Sequence, residues 1–283
     1  MKKVSLFILI FLLGMLSFAQ EIRVLTYLDS EIEETSGLLN LNGKLITHND
    51  SGGEPILYVL DMFTGKVLRS VYIKNAKNVD WEDICSDEKF IYIADIGNNR
   101  GKRKNLKIYR IKKDKFLTQD TVKAKKIDIS YGDQKNFKPG KFMTNYDAET
   151  LVSVGDSLYI FTKNWGNHLT RMYAVSKNIG EYELFPRASF KARCLVTSGN
   201  YNTENNEIVF SGYLFNKQFV MRLNNFTEGN LKNGNFISKE FKVPENSSKQ
   251  IEGITHDIGY EYYISSEAYQ GNTQVLYKLI WAP

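Results

Sequence analysis

The chain has 283 residues, a net charge of +5, 42% hydrophobic residues, 17 Tyr, 17 Phe and only 5 Pro. Aromatic richness with little proline suits packed sheets, and so mild a positive excess gives no support to nucleic-acid binding. Two cysteines, Cys85 and Cys194, are too few for a disulfide framework and are read as buried free thiols.

The first stretch reads as a secretory leader: Lys2 and Lys3, an apolar run from Val4 to Leu16, then Ser17-Phe18-Ala19 as a small-residue cleavage site. Residues 1–19 are therefore assigned to a signal peptide and 20–283 to one domain, whose net charge falls to +3 with the loss of the two lysines. The run is too short for a transmembrane span and no cysteine follows it, so a soluble monomer exported to the periplasm or beyond, with no stable membrane insertion, is expected.

Beyond Ile22 to Leu28, strand-like segments recur in groups of four. The first group runs Gly37 to Leu41, Lys44 to His48, Ile56 to Met62 and Lys66 to Ile73, with turn signals at Asn42-Gly43, Gly52-Gly53 and Thr64-Gly65. The second is Asp83 to Ser86, Phe90 to Asp95, Leu106 to Ile111 and Ile127 to Tyr131. The third is Leu151 to Val154, Leu158 to Thr162, Arg171 to Val175 and Leu184 to Phe190. The fourth is Gly199 to Tyr201, Glu207 to Tyr213, Phe219 to Leu223 and Ile237 to Val243. The fifth has only Ile254 to His256, Tyr260 to Ser265 and Gln274 to Trp281.

Each group opens on a polar residue just ahead of its first strand's aliphatic core: Ser36, Glu82, Glu149, Ser198 and Glu252, at spacings of 46, 67, 49 and 54 residues. Repetition at such a period is the mark of a radial or solenoid fold. The expectation is an all-β, five-bladed β-propeller of four-stranded antiparallel blades, with the N-terminal strand supplying the strand that the last blade lacks. In the long interval, basic Arg100 to Lys126 and then Gln134 to Tyr146 are read as extended loops on the second blade, the basic stretch being a solvated face.

First strands line a propeller's channel, so the five polar residues should converge from one end. Three ionised carboxylates about 5 Å apart at an effective dielectric near 20 repel by roughly 3 kcal/mol per pair, about 10 kcal/mol in all, comparable to the whole stability of a domain. Such a cluster must hold a cation or carry protons. With oxygen donors and neither His nor Cys, the expected ion is Ca²⁺, held by Ser36, Glu82, Glu149, Ser198 and Glu252.

Loops between second and third strands return to the same end. They carry His48 and Asp50, then Asp95, Asn98 and Arg100, then Lys163, Trp165 and His168, and finally Glu267, a polar funnel suited to a small polar or anionic ligand or to a protein partner. His256 should lie at the opposite end. The favoured role is binding. The alternative is calcium-dependent hydrolysis of phosphoanhydrides or phosphoesters, with Lys163 or Arg100 neutralising charge and Asp50 or Glu82 accepting a proton.

The order Ser, Glu, Glu, Ser, Glu at the openings of the first strands resembles the calcium-activated nucleotidases, or apyrases. That resemblance implies a five-bladed propeller with an axial Ca²⁺ on Ser36, Glu82, Glu149, Ser198 and Glu252, and Asp50 near a nucleotide. Thr35-Ser36-Gly37-Leu38, Leu57-Tyr58 and Thr64-Gly65-Lys66-Val67-Leu68 are similar to the SdiA-regulated propellers of bacteria and to plant-type glutaminyl cyclases. The latter similarity implies an acid at Glu82 serving an acyl transfer.

Overall fold

The structure is a computed structural model and describes residues 20–227, 229–244, 247 and 250–283; the predicted leader lies outside the described residues. Strand β1 (Glu21–Tyr27) is followed by β2 (Thr35–Leu41), β3 (Lys44–Asn49), β4 (Ile56–Leu60) and β5 (Val67–Ile73) of the first blade. The second blade contains β6 (Trp81–Ser86), β7 (Phe90–Asp95) and β8 (Leu106–Lys112). The chain then passes through helix α1 (Lys113–Thr118) and β9 (Thr121–Val122) before β10 (Lys125–Tyr131) completes that blade. The third blade has β11 (Ala148–Val154), β12 (Ser157–Thr162) and β13 (Thr170–Ser176), and, after β14 (Gly180–Leu184) has joined the second blade's sheet, β15 (Ala188–Phe190). The fourth has β16 (Leu195–Asn202), β17 (Glu207–Leu214), β18 (Lys217–Asn224) and β19 (Asn235–Phe241), and the fifth β20 (Ile251–His256), β21 (Glu261–Ser266) and β22 (Val275–Ile280).

Hydrogen bonding groups these strands into five sheets, the five blades expected from the repeats. The fifth is closed by the N-terminal strand: β1 pairs antiparallel with β22 from Glu21 opposite Ile280 to Tyr27 opposite Val275. The pairing covers the outer edge of β22 and makes β1 the outer strand of the blade.

Alternation along each strand turns one set of side chains toward each neighbouring blade, and a separate apolar core fills each of the five blade interfaces. Between the first and second blades that core includes Ile46, Val59, Trp81, Ile84 and Ile93. Burying one such aliphatic side chain contributes about 1.5–3 kcal/mol. Asn42 and Gly43, both at positive φ (55° and 76°), make the two-residue turn between β2 and β3, a conformation whose twist matches that of the strands it joins.

Two sequence expectations are corrected at the outer edges. The stretch from Leu184 to Phe190 is not one strand: only Ala188–Phe190 pairs with β13, while Gly180–Leu184 crosses to the second blade and lies parallel to β10. Nor is the basic interval only loop, because β9 crosses to the first blade and lies parallel to β5. A sheet edge presents unpaired N–H and C=O groups whichever blade supplies the covering strand, so local sequence does not assign these short strands to a sheet.

Candidate cation-binding mouth

Every inner strand carries a register shift near its start, between Ser36 and Leu39, Trp81 and Asp83, Ala148 and Thr150, Val196 and Ser198, and Ile251 and Gly253. A bulge re-aims the extra residue out of the ladder. In β6, β11 and β20 that residue is a glutamate, Glu82, Glu149 or Glu252, and all three are buried. In β16 it is Thr197, whose hydroxyl donates to Ile251 O at 2.8 Å. Ser198 instead donates to Asp83 Oδ1 at 3.0 Å, and the Ser36 hydroxyl donates to Glu82 O at 2.7 Å. Both serines thus spend their protons joining blades.

The carboxylates gather as two overlapping triads that share Glu82. Oxygens of Glu82, Asp147 and Glu149 all lie within 4.8 Å of one another, as do oxygens of Asp50, Asp80 and Glu82. Burial, followed by repulsion from Glu149, Asp50, Asp80 and Asp147, pushes Glu82 well above the usual carboxylate range. Burial first and like charges next raise Asp50 to about 8, Asp80 to about 6 and Glu267 to about 9. Glu252 is raised by its burial, with Lys163 pulling the other way.

The two triads differ in how much of their charge is already answered. Glu149 has the buried ammonium of Lys163 at 2.5 Å, and Lys163 also lies 3.3 Å from the Tyr213 hydroxyl. Asp147 accepts from Trp165 Nε1 at 2.7 Å and from the Asn98 amide. In the other triad the nearest cation is Arg103, 3.8 Å from Asp80 but 2.6 Å from Asp95. Asp50 Oδ1 is buried without a hydrogen-bond partner, and the Glu82 carboxylate accepts no hydrogen bond among the described residues. Gly97 keeps the space open: a methyl group there would overlap Glu82 Oε1 and the Asp80 carboxylate.

The remaining predicted ligand residues are scattered around this centre. Asp95 is fully buried under Arg103, and Asn98 braces the loop through its amide to Asp147 and its Nδ2 to Tyr146 O at 3.1 Å. Arg100 is exposed, and the loop's engaged cation is Arg103. His48 is wholly buried, edge-on to Trp81 at 5.5 Å between ring centroids, and burial lowers it to about 4. Trp165 and His168 line a cavity of about 270 Å³ with Tyr213, Phe215 and Tyr269, adjoining the acids through Trp165 and Tyr213. His256 sits at the far end of β20, its Nε2 3.1 Å from Gly259 O.

Sequence reasoning missed Asp80, Asp147 and Asp83. A signal for the first two was present: Asp80-Trp81-Glu82 and Asp147-Ala148-Glu149 repeat an Asp-x-Glu step at one place in successive blades. Asp83 is fully buried on the axis and accepts four hydrogen bonds. They come from Ile84 N (2.9 Å), Leu151 N (2.9 Å), Ser198 Oγ (3.0 Å) and Gly199 N (3.2 Å), so one carboxylate ties the second blade to the third and fourth. Gly37, at φ +62°, admits this packing, since a Cβ there would stand 2.9 Å from Asp83 Cα.

No family model matches the chain, and no curated protein does so. The chain has a propeller's fold. It is similar to the PQQ-bound aldose sugar dehydrogenase of Streptomyces coelicolor at TM-score 0.55 and 12% identity, covering 93% of this chain and 98% of that one. A Thermus thermophilus protein described as a glucose dehydrogenase aligns at TM-score 0.46 and 8% identity over 92% and 100% of the two chains. BamB of Moraxella catarrhalis aligns at TM-score 0.35 and 14% identity over 85% and 56%. Identities this low carry the fold and not a chemistry.

Proposed function

We propose that this is an exported propeller that binds a divalent cation, Ca²⁺ by preference, at the acidic mouth of its channel and uses the ion to hold a small polar or anionic ligand. The observation that carries the reading is Glu82, shared by both triads, beside an Asp50 oxygen buried without a partner. The donor set fits a hard ion, being all carboxylate oxygen with neither His nor Cys, and Ca²⁺ tolerates an irregular oxygen cage better than Mg²⁺ does. Asp50, Asp80 and Glu82 would hold it, because their charge is the least compensated at the mouth. Export is supported by the leader-like residues at the N-terminus, and no helix among the described residues is long and apolar enough to cross a membrane.

PQQ, named for the Streptomyces coelicolor protein, is itself a polycarboxylate and does not fit a mouth where clustered acids face the buried lysine Lys163, already paired with Glu149. A second reading, metal-dependent hydrolysis of phosphoanhydrides or phosphoesters, is favoured by Lys163 itself, a buried ammonium beside the acids that could meet a phosphate oxygen while a cation polarised it.

Calorimetric titration of residues 20–283 with Ca²⁺ and with Mg²⁺ tests the proposal. One Ca²⁺ should bind more tightly than Mg²⁺, Glu82→Gln should abolish binding, and Ser36→Ala should leave it within about threefold, since that hydroxyl is already spent. Absence of Ca²⁺ binding would refute the reading. Phosphate release from a nucleotide panel, with Ca²⁺ and with chelator, separates the two roles: turnover lost with chelator and in Glu149→Gln supports hydrolysis, and none supports binding alone.

A further inference from the structure

Away from the mouth, on the outer rim where the first and second blades meet, lies a cavity of about 700 Å³ whose charged lining is entirely cationic: Lys74, Arg110, Lys112, Lys115, Lys123 and Lys125. The five lysines make no ion pair or side-chain hydrogen bond among the described residues, although Asp120, in the strap formed by residues 112–125, pairs with Arg69. Arg110 is fixed rather than free. Its guanidinium stacks on Phe90 at 4.4 Å and donates to Lys177 O at 2.7 Å, while its Nε is buried with no partner.

This strap, which carries Lys112, Lys115, Lys123 and Lys125, is anchored along its length. Arg69 donates to Phe116 O at 2.8 Å, Tyr72 N to Asp120 O at 2.9 Å, and Lys74 N to Val122 O at 2.9 Å. The Asn75 amide side chain clamps Ala124 through both its N–H and its C=O, each at 2.8 Å. A run of lysines on a mobile loop spreads its charge into solvent, whereas a hydrogen-bonded strap holds its like charges together around one cavity. That arrangement raises the local potential and lowers the ordering cost of binding an anion.

We propose that this rim cavity binds a compact polyanion carrying several phosphate or sulfate groups, independently of the cation at the mouth. The volume is that of a small-molecule site, and the spread of ammonium groups around it suits several oxyanions on one small body better than a single one. Single-stranded nucleic acid is disfavoured by the ring face of Phe90, which Arg110 already occupies and which a base would need for stacking.

Calorimetric titration of the metal-free protein with sucrose octasulfate and with tripolyphosphate, in 0.15 M salt as an approximate physiological condition, tests this. One molecule per chain is expected. The triple change Lys112→Glu, Lys115→Glu and Lys123→Glu should weaken binding by about a hundredfold or more, and the milder glutamine triple by about tenfold. A control with the same charge change on exposed lysines elsewhere, Lys232→Glu, Lys239→Glu and Lys242→Glu, should bind like the parent. Failure of both probes to bind, or equal losses in the cavity and control triples, would overturn the proposal in favour of bulk charge. Tighter binding to anionic vesicles or to a single-stranded oligonucleotide, lost in the cavity triple, would also overturn it by making the rim a membrane or nucleic-acid surface. Because the probes are titrated without metal, failure of the cation site leaves this result intact.

Discussion

Asp83 gives the sharpest test of how the channel is held together. Replacing it with alanine removes the acceptor for three backbone N–H groups, those of Ile84, Leu151 and Gly199, and for the Ser198 hydroxyl. The hydroxyl can turn away; the amides cannot. A buried donor left unmet costs about 1–3 kcal/mol, and water entering the vacated space recovers part of that, so Asp83→Ala should destabilise by about 3–5 kcal/mol. The opposing effect is burial of the acid itself, which raises Asp83 to about 8 against the pull of its four donors. Asparagine separates the two. Its oxygen can serve Leu151 N and Gly199 N while its NH₂ turns toward Ser198, whose hydroxyl can accept, so only the bond from Ile84 N is lost and Asp83→Asn should cost about 1–2 kcal/mol. Urea unfolding with matched m-values measures both. An alanine variant within about 1 kcal/mol of the parent, or an asparagine variant less stable than the alanine one, would refute the claim that these bonds lock the blades.

Two further tests address the mouth. Folding raises Asp50 to about 8, Asp80 to about 6 and Glu267 to about 9, chiefly through burial, so the folded protein holds protons that the unfolded chain has released. The stability these groups contribute is complete below about pH 4 and is lost as the pH climbs through their folded values. The melting temperature in chelator should therefore fall between pH 5 and pH 9 and recover with Ca²⁺; a flat profile in chelator would contradict the clustering. In Gly97→Ala the new methyl group pushes apart Glu82 and Asp80, so Ca²⁺ affinity measured by titration should drop about tenfold or more, and unchanged affinity would remove that pair from the ion's cage.

Much of the fold was legible because a propeller repeats itself. The recurrence of Glu82, Glu149 and Glu252 ahead of aliphatic strand cores identified three of the inner strands, and the unpartnered segment from Ile22 to Leu28 announced the closing strand. The site was legible along those strands and, for Asp50 and Lys163, in the loops that return to the same end, but the pairings within it were not. Asp147 meets Glu82 across blades, Lys163 reaches Glu149 from the next strand, and Arg103 instead of Arg100 turns back onto Asp95, because loop conformation sets those meetings and loop residues obey no period.

By itself, then, the sequence determined the number of blades, the ring closure and the acidic character of one channel end, all consequences of alternation and repetition that act over a few residues at a time. Tertiary structure alone decided which acids stand together in each triad, that Asp83 joins three blades, and that short strands β9 and β14 cross to neighbouring sheets. Those outcomes depend on which unmet charge or hydrogen-bonding group lies within reach in space, and a chain's order records that distance only after it has folded.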